Sequence, residues 1–373
     1  MKLVVLRSIE EAESIREEWS YLVDKSGKNN LYLSYEWFLS SYESFHVKDN
    51  LVLLTVRDEI DRLKCVLPLV VVKKKYRLFD VRAIGFLSNS QNPENDLIPA
   101  PEMNSSCFML IMDYLFNFSD WDLIDFRMLD ISSSFVKNLQ AYLSNKPTLY
   151  GVKLNRTSPY IEINCPWSVF WEHRANKFRK SMRNKLNRAL HRGFELQKIK
   201  INNKEVPELE NMLDISSKSW KHSAGTDLSS NEEQWRFYLL ICERLGSSGK
   251  LFLWLLGFDG VPVAFEFHIE QEGVVYPIRA DFNENYKDLS PGSVLEYHII
   301  SRLFLEKNIH EYHSCGHTYD YLLNWTDKTR DYINYEIFKD SFYMHLQYLF
   351  EYKLLMKLRK IPCYKKVKKY FLR

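Results

Sequence analysis

The chain has 373 residues, of which 46% are hydrophobic and 27% charged, so it is not an intrinsically disordered protein and suits two domains of ordinary size. Its net charge of +3 excludes a protein that is basic over its whole surface. The six cysteines include no C-x-x-C pair, which favours reduced thiols over a disulfide-rich secreted class.

Helices and short strands alternate along the first half of the chain. Hydrophobic spacing predicts helices over 9–24, 34–45, 103–116 and 135–143. Apolar runs predict strands over 51–57, 63–72, 81–87, 121–126 and 159–164.

The second half has a similar order of elements. Pro166 precedes a predicted basic helix over 168–192, which Gly193 ends. The further predictions are helices over 206–220, 232–245 and from 290 onward, and strands over 194–201, 250–258, 262–270, 274–281 and 309–315. Asp-Gly and Glu-Gly pairs between the middle strands indicate hairpin turns. The repeated order predicts an internal duplication of about 150–180 residues.

Two segments are strongly basic. Between 172 and 192 there are eight Lys or Arg and one Glu, and between 351 and 373 there are nine and one Glu. Each is either a solvated helix surface or a contact for an anionic partner. The last segment interleaves its cations with apolar residues, which suits either an anionic membrane surface or a packed terminal helix.

The start of the helix near residue 290 has a distinctive composition. Ser290 is predicted as the N-cap, Pro291 as the first helical residue, and Gly292 allows close approach to the backbone. Free N–H groups at such a start, aided by the helix dipole, can hold a phosphate group. Ordinary capping is the alternative for this segment.

Several short motifs in this order resemble the GNAT acyltransferase superfamily, and most closely its tandem-domain CelD-like, polysaccharide-associated members, which are relatives of the Fem peptidyltransferases. The motifs lie at 34–37, 67–69, 121–125, 178–188, 219–221, 260–264, 289–295 and 316–326. The resemblance implies an α/β (α+β) fold of two tandem GNAT-like domains, each a mixed, mainly antiparallel sheet flanked by helices. We predict a degenerate domain over 1–165, an acyltransferase domain over 166–345 and a basic amphipathic tail over 346–373.

The resemblance implies direct transfer of an acyl group to an amine or hydroxyl of a polar acceptor. The donor would be acyl-CoA, such as acetyl-CoA, or an acyl carrier protein. The acceptor would be, for example, an amino sugar in surface-polysaccharide or metabolite assembly.

Two motifs depart from the family. The usual pyrophosphate loop Q/R-x-x-G-x-G/A is absent, and Ser290-Pro-Gly stands in its place. A lysine usual after the family's last glycine is replaced by Leu322 beside Tyr321, so no role of that lysine is carried over.

The predicted catalytic residues are Glu266, His268 and Tyr321. Alternation along 264–269 places Glu266 and His268 on one face of a strand, where Glu266 is the candidate general base and His268 its partner. That face is either a cleft or simply solvated. Tyr321 matches the tyrosine that protonates the leaving thiolate in the resembled superfamily, and packing is its alternative role.

The predicted cofactor-binding and substrate residues surround these groups. Donor binding is assigned to the helix start and one strand arginine: Ser290, Gly292, Ser293 and Arg279. Substrate binding is assigned to Trp220, Lys221, Asp281, His317 and Tyr319. For Arg279 and Asp281 the alternative is a structural ion pair, and for Trp220 it is burial in the core.

The expected partners follow from these assignments. We expect no metal, because His310 and His313 fall on opposite faces of a strand. The basic helix suits the 3′-phosphate of CoA, an acidic carrier protein or tRNA, of which tRNA is disfavoured because the helix is short. We expect a cytoplasmic protein with possible peripheral contact at the inner membrane face. The alternatives are a Fem-like aminoacyl-tRNA-dependent peptidyltransferase and a non-catalytic GNAT-fold binding module.

Overall fold

The computed structural model describes residues 1–26, 30–77, 79–87, 89, 91–101, 103, 105–118 and 120–355. Most of the predicted basic tail, 356–373, therefore lies outside the described residues. Within the described part, no helix is long and apolar enough to cross a membrane.

Thirteen strands are present in the described residues. They are β1 (Lys2–Leu6), β2 (Asn50–Arg57), β3 (Leu63–Tyr76), β4 (Phe79–Phe86), β5 (Ile98–Pro99), β6 (Leu123–Asp130), β7 (Leu149–Glu162), β8 (Phe194–Lys200), β9 (Leu251–Phe258), β10 (Val261–Gln271), β11 (Val274–Phe282), β12 (Glu311–His313) and β13 (Thr329–Phe338).

The helices flank these strands. They are α1 (Ile9–Glu13), α2 (Arg16–Lys25), α3 (Tyr35–Ser41), α4 (Ser105–Asn117), α5 (Ser134–Ser144), α6 (Trp167–Glu172), α7 (Asn176–Arg192), α8 (Leu209–Ser217), α9 (Trp220–Ser223), α10 (Glu232–Leu245), α11 (Pro291–Leu303), α12 (Asp320–Leu323) and α13 (Phe342–Tyr348). Wide π-helical turns follow α3 at Tyr42–His46 and α13 at Leu349–Leu354.

The strands form one continuous, mostly antiparallel sheet in the order β1-β2-β3-β4-β6-β13-β7-β12-β11-β10-β9-β8, and β5 pairs with β3. From one edge inward the order is β1-β2-β3-β4-β6, and from the other edge it is β8-β9-β10-β11-β12. Both halves therefore follow chain order from the edge to the centre, and this agrees with the predicted duplication. The halves exchange strands at the centre, because β13 lies between β6 and β7 while β7 also pairs with β12. The predicted boundary at 165/166 stays a prediction, since the sheet continues across it.

A hydrophobic core shared by the two halves fixes them together. Helices α2 and α3 of the first half and α8 and α10 of the second contribute to one buried cluster. In it, the rings of Trp37 and Phe237 meet edge to face with their centroids 5.0 Å apart. Arg244 adds an ion pair to Glu43 at 2.8 Å. Shared apolar burial of this kind makes independent movement of the halves costly.

Three predicted elements need correction. The helix over 9–24 is two helices, α1 and α2, and the basic helix over 168–192 is divided into α6 and α7. The second break follows from tertiary contacts, because the Arg174 guanidinium donates to the Trp325 carbonyl and lies 4.5 Å from the centre of the Phe170 ring. Strand β7 begins ten residues before the predicted one, and β13 was not predicted at all.

Candidate active site

A gap between two parallel strands creates the site. Strands β11 and β12 pair only at Val274–Glu311 and Val275–Tyr312. Beyond these pairs β11 stays hydrogen-bonded to β10 alone, so the edge of β11 that faces β12 is free of strand pairing. A free backbone edge offers N–H and C=O groups to an extended ligand.

Two cavities meet at this gap. The larger, about 560 Å³, extends to the start of α11, and the smaller, about 260 Å³, lies between β11 and the segment after β12. The residues that line both cavities are Lys221, Glu266, Ala280, Glu296 and Tyr321. These residues therefore surround the place where molecules in the two cavities would touch, which we call the waist.

Glu266 is held at the waist by strand β10 and is only 6% exposed. Its Oε2 accepts a hydrogen bond from the Tyr312 hydroxyl at 3.2 Å and lies 2.9 Å from His268 Nε2. Burial raises the pKa of Glu266 to about 8, although the Tyr312 hydrogen bond acts in the opposite direction. A carboxyl with a pKa near neutral is suited to take and return a proton.

His268 is fully buried behind Glu266 on the same face of β10, as alternation predicted, and the face is not solvated. Burial lowers the pKa of His268 to about 3, so the imidazole is neutral near pH 7. When Glu266 is ionised, Nε2–H donates to its carboxylate, and Nδ1 has no hydrogen-bond partner among the described residues. His268 therefore orients Glu266 and does not itself titrate near neutrality.

Glu296, which is not among the residues predicted from the sequence, is a second buried carboxyl at the waist. It lies on α11, is 8% exposed and accepts a hydrogen bond from Trp325 Nε1 at 3.0 Å. Burial and the neighbouring Glu266 raise the pKa of Glu296 to about 8. The sequence signal for Glu296 is that it is a lone carboxylate on an apolar helix. It lies four residues after Gly292, so the two residues are on the same side of that helix.

Arg279 and Asp281 lie on the opposite face of the sheet from Glu266. The register pairs them with Phe267 and Phe265, whereas Glu266 pairs with Ala280. Arg279 lines the smaller cavity and Asp281 the larger.

The ion pair between these two residues is largely internal. Arg279 Nε donates to Asp281 Oδ2 at 2.9 Å, and Nη2 donates to the Ser216 hydroxyl and the Thr226 carbonyl at 3.2 and 3.1 Å. Lys221 completes the group, because its Nζ donates to the Ala280 carbonyl at 2.7 Å and pairs with Asp281 at 2.5 Å. These contacts engage the Arg279 guanidinium within the protein, and its role in donor binding stays a prediction.

The start of α11 differs from ordinary capping. Ser290 occupies the N-cap position in a left-handed conformation (φ 54°), and its side chain makes no capping hydrogen bond. Gly292 and Ser293 line the larger cavity, whereas Ser290 lines neither. From α7, Lys185 Nζ donates to the Ser293 hydroxyl at 2.9 Å, and burial lowers the pKa of Lys185. A helix start beside a cation has the donors and the charge that an anion requires.

Three of the remaining predicted residues line the larger cavity, and His317 does not. Trp220 is 53% exposed and lines the cavity, so it is not a core residue. Tyr319 and Tyr321 also line it and stack with ring centroids 5.9 Å apart. Desolvation, then Glu296 and Glu266, raise the pKa of Tyr321. His317 is exposed, lies edge-on to Tyr319 and lines neither cavity.

The described residues contain no group of three or more His, Cys, Asp or Glu side chains placed to hold a metal ion. Of the two histidines that the sequence places on this strand, His313 is buried with Nε2 3.1 Å from the Tyr332 hydroxyl. Cys315 lines the smaller cavity, and burial raises the pKa of its thiol to about 12.

The first half has an equivalent gap, between β4 and β6, but it lacks a carboxyl at the position of Glu266. Strands β4 and β6 are parallel and pair only at Ala83–Leu123 and Ile84–Ile124, as β11 and β12 do. In the strand register, Ile84 corresponds to Val275. Their antiparallel partners, Val71 and Glu270, therefore correspond as well, and four residues earlier on each strand Leu67 corresponds to Glu266. Leu67 is fully buried in an apolar cluster. The first half therefore has a buried apolar side chain where the second half has Glu266.

Comparisons with known proteins agree with this architecture. Residues 176–322 match the family model described as an acetyltransferase (GNAT) domain. A search of curated proteins found no match.

Solved structures resemble nearly the whole chain. A crystal structure of FemX matches with a TM-score of 0.57 and 11% identity, over 93% of this chain and 100% of that one. A conserved protein of unknown function from Bacteroides thetaiotaomicron matches with a TM-score of 0.55 and 14% identity, over 87% of this chain and 97% of that one. At such identities the likeness concerns the fold alone, and closer kinship with the CelD-like group stays a prediction. The matched model is similar to residues 176–322 of this chain, and with the sheet geometry it supports a GNAT-type fold in the second half.

Proposed function

We propose that the second half transfers an acyl group from an acyl thioester directly to an amine or hydroxyl of a polar acceptor. The observation that supports this most is the pair of cavities that meet at Glu266 and Tyr321, with the start of α11 and Lys185 beside the larger one. This arrangement accommodates a long phosphorylated donor on one side and a small acceptor on the other.

In this proposal the donor occupies the larger cavity. Its phosphates accept hydrogen bonds from the backbone N–H groups of Gly292 and Ser293 and interact with Lys185. Its extended arm pairs with the free edge of β11, which carries the thioester to the waist. The acceptor enters the smaller cavity, which Arg279 and Tyr312 also line. Acyl-CoA and an acyl carrier protein present the same phosphopantetheine arm, so both suit this site.

The chemistry at the waist needs one base and one acid. Ionised Glu266, oriented by His268 and Tyr312, takes the proton from the acceptor as its nitrogen or oxygen forms a bond to the thioester carbon. The carbon–sulfur bond breaks, and the Tyr321 hydroxyl donates a proton to the leaving thiolate. The raised pKa of Tyr321 keeps that hydroxyl protonated before the transfer. No covalent enzyme intermediate is required.

Binding of CoA tests the donor site without knowledge of the acceptor. We expect CoA to raise the thermal unfolding temperature, because a ligand that binds only the folded state stabilises it. Replacement of Gly292 by Val should reduce the shift by crowding the backbone N–H groups. An unchanged unfolding temperature at millimolar CoA would favour a non-catalytic GNAT-fold binding module instead.

A Fem-like aminoacyl-tRNA-dependent transferase is the second candidate. The observation that favours it is a group of exposed cations on α7: Lys177, Lys180, Arg183, Arg188 and Arg192. Nucleic-acid phosphates bind such arrays with strong salt dependence. Activity with aminoacyl-tRNA that disappears after RNase treatment would support this candidate, and RNase-resistant activity with an acyl-CoA would reject it. The amino-sugar acceptor and the link to polysaccharide assembly stay proposals.

A further inference from the structure

The last described helix presents apolar side chains to solvent. On α13 and the π-helical turn that follows it, five large side chains are exposed, and we call them the C-terminal stripe: Phe342 (73%), Tyr343 (63%), Leu346 (43%), Leu349 (46%) and Leu354 (47%). The intervals 342, 346 and 349 place the first members on one side of the helix.

The opposite side of this segment faces the protein and carries charge. Glu351 is 2% exposed and pairs with Arg77 at 2.7 Å and Lys153 at 2.9 Å. These two cations lower the pKa of Glu351, against the effect of burial. Met344 is buried in a small cluster beneath the sheet. Leu355 is buried on this inner side as well. A surface helix normally buries its apolar residues and exposes its charges, whereas this segment buries Glu351 and leaves the C-terminal stripe exposed.

The sequence that follows is suited to an anionic surface. From Lys353 to Arg373 there are nine Lys or Arg and no Asp or Glu. A second copy of the chain would bring the same positive charge to the contact and be repelled. An anionic lipid surface would attract these cations and accept the apolar side chains at the boundary between headgroups and acyl chains.

We propose that the C-terminal stripe docks this protein on an anionic lipid bilayer. Phe342, Leu346 and Leu349 insert at the interface, and the basic sequence after Lys353 is attracted to the lipid headgroups. The docking site belongs to the segment that packs beneath β13 and β7, whereas the cavities lie at β10 and β11. The inference therefore does not depend on acyl transfer, and a failed activity assay would not affect it.

Cosedimentation of the full-length protein with vesicles tests the proposal. Phosphatidylcholine vesicles with phosphatidylglycerol should bind at least about tenfold more protein than vesicles of phosphatidylcholine alone, and added salt should reduce the difference. A variant with Phe342→Ser, Leu346→Ser and Leu349→Ser should bind about tenfold less, since apolar insertion is lost. Because these side chains are exposed, the variant should keep the circular dichroism spectrum and unfolding temperature of the wild type.

The matched control replaces two exposed leucines outside the stripe, Leu190→Ser and Leu305→Ser, which are 70% and 78% exposed. This control should bind vesicles as the wild type does. Equal binding by the stripe variant, or no preference for phosphatidylglycerol, would overturn the proposal. So would a wild-type dimer in analytical ultracentrifugation that the stripe variant dissociates, because the stripe would then be an interface between two copies.

Discussion

His268 Nε2 lies 2.9 Å from Glu266 Oε2, and both side chains are buried in the same strand. The neutral imidazole behind the carboxyl fixes which oxygen points toward the waist. Tyr312 contacts the same oxygen at 3.2 Å, so the other carboxyl oxygen remains for the acceptor.

Replacement of Glu266 by Gln should lower turnover by about 100-fold or more, because removal of a general base typically costs that much. The amide keeps an oxygen that can accept from Tyr312, so the fold should be retained. Steady-state kinetics with an acyl-CoA donor would measure the effect. The matched control is Glu270→Gln on the same strand, where Glu270 pairs with Lys198 at 2.9 Å outside both cavities, and its turnover should stay near that of the wild type.

His268 should act through Glu266 and not through its own titration. Replacement by Ala should lower turnover by about tenfold and shift the pH dependence, because Glu266 loses a partner that favours its ionised form. In the wild type, turnover should rise with pH around pH 8, because Glu266 has a pKa of about 8 and must be ionised to act as the base. A limb near the ordinary histidine pKa of 6.5 in the wild type, lost in the variant, would show that His268 is itself the base.

Tyr321 and Tyr319 offer a matched test of the proton donor. The two rings stack 5.9 Å apart, but only Tyr321 lines both cavities. Tyr321→Phe should lower turnover by at least about tenfold with the donor affinity nearly unchanged, because the lost interaction belongs to the transition state. Tyr319→Phe should change turnover little. Equal effects of the two replacements would assign both tyrosines to packing.

The stability of the protein should depend on the buried carboxyls. The pKa values of Glu266 and Glu296 are raised from 4.5 to about 8, so the folded state keeps protons that the unfolded state has lost. Between these pH values the free energy of unfolding must fall as the pH rises, and the fall ends above about pH 8.

A double variant, Glu266→Gln with Glu296→Gln, isolates this contribution. Its stability relative to the wild type should increase by at least about 1 kcal/mol between pH 5 and pH 8. Urea unfolding at several pH values measures the difference. A constant difference across this range would mean that the carboxyls titrate normally.

Lys185 should contribute to donor affinity through charge. Lys185→Met should weaken CoA binding by about tenfold and reduce its salt dependence, because a half-buried cation beside the helix start is lost. Lys180→Met removes an exposed charge from the same helix and should have little effect. Calorimetric titration of CoA at two salt concentrations distinguishes the variants.

Local sequence signals predicted much of the second half. The hairpin turns are as expected, since Asp259, Gly260, Glu272 and Gly273 all have positive φ. The start of α11 and the shared face of Glu266 and His268 also follow from short-range rules.

Features that depend on distant parts of the chain were missed. Strand β13 lies between β6 and β7, and nothing local to 329–338 encodes those neighbours. The sequence shows Glu296 only as a lone carboxylate on an apolar helix, and its position beside Glu266 follows from the packing of α11 against β10. The side chains of Arg279 and Glu266 lie on opposite faces of the sheet, and this likewise depends on the register between β10 and β11.

A structure of the protein with CoA bound tests the central claim most directly. We predict phosphate groups at the backbone N–H groups of Gly292 and Ser293 beside Lys185, an arm along β11, and the sulfur at the waist between Glu266 and Tyr321. Phosphates bound elsewhere, or a sulfur atom remote from Glu266, would contradict the account.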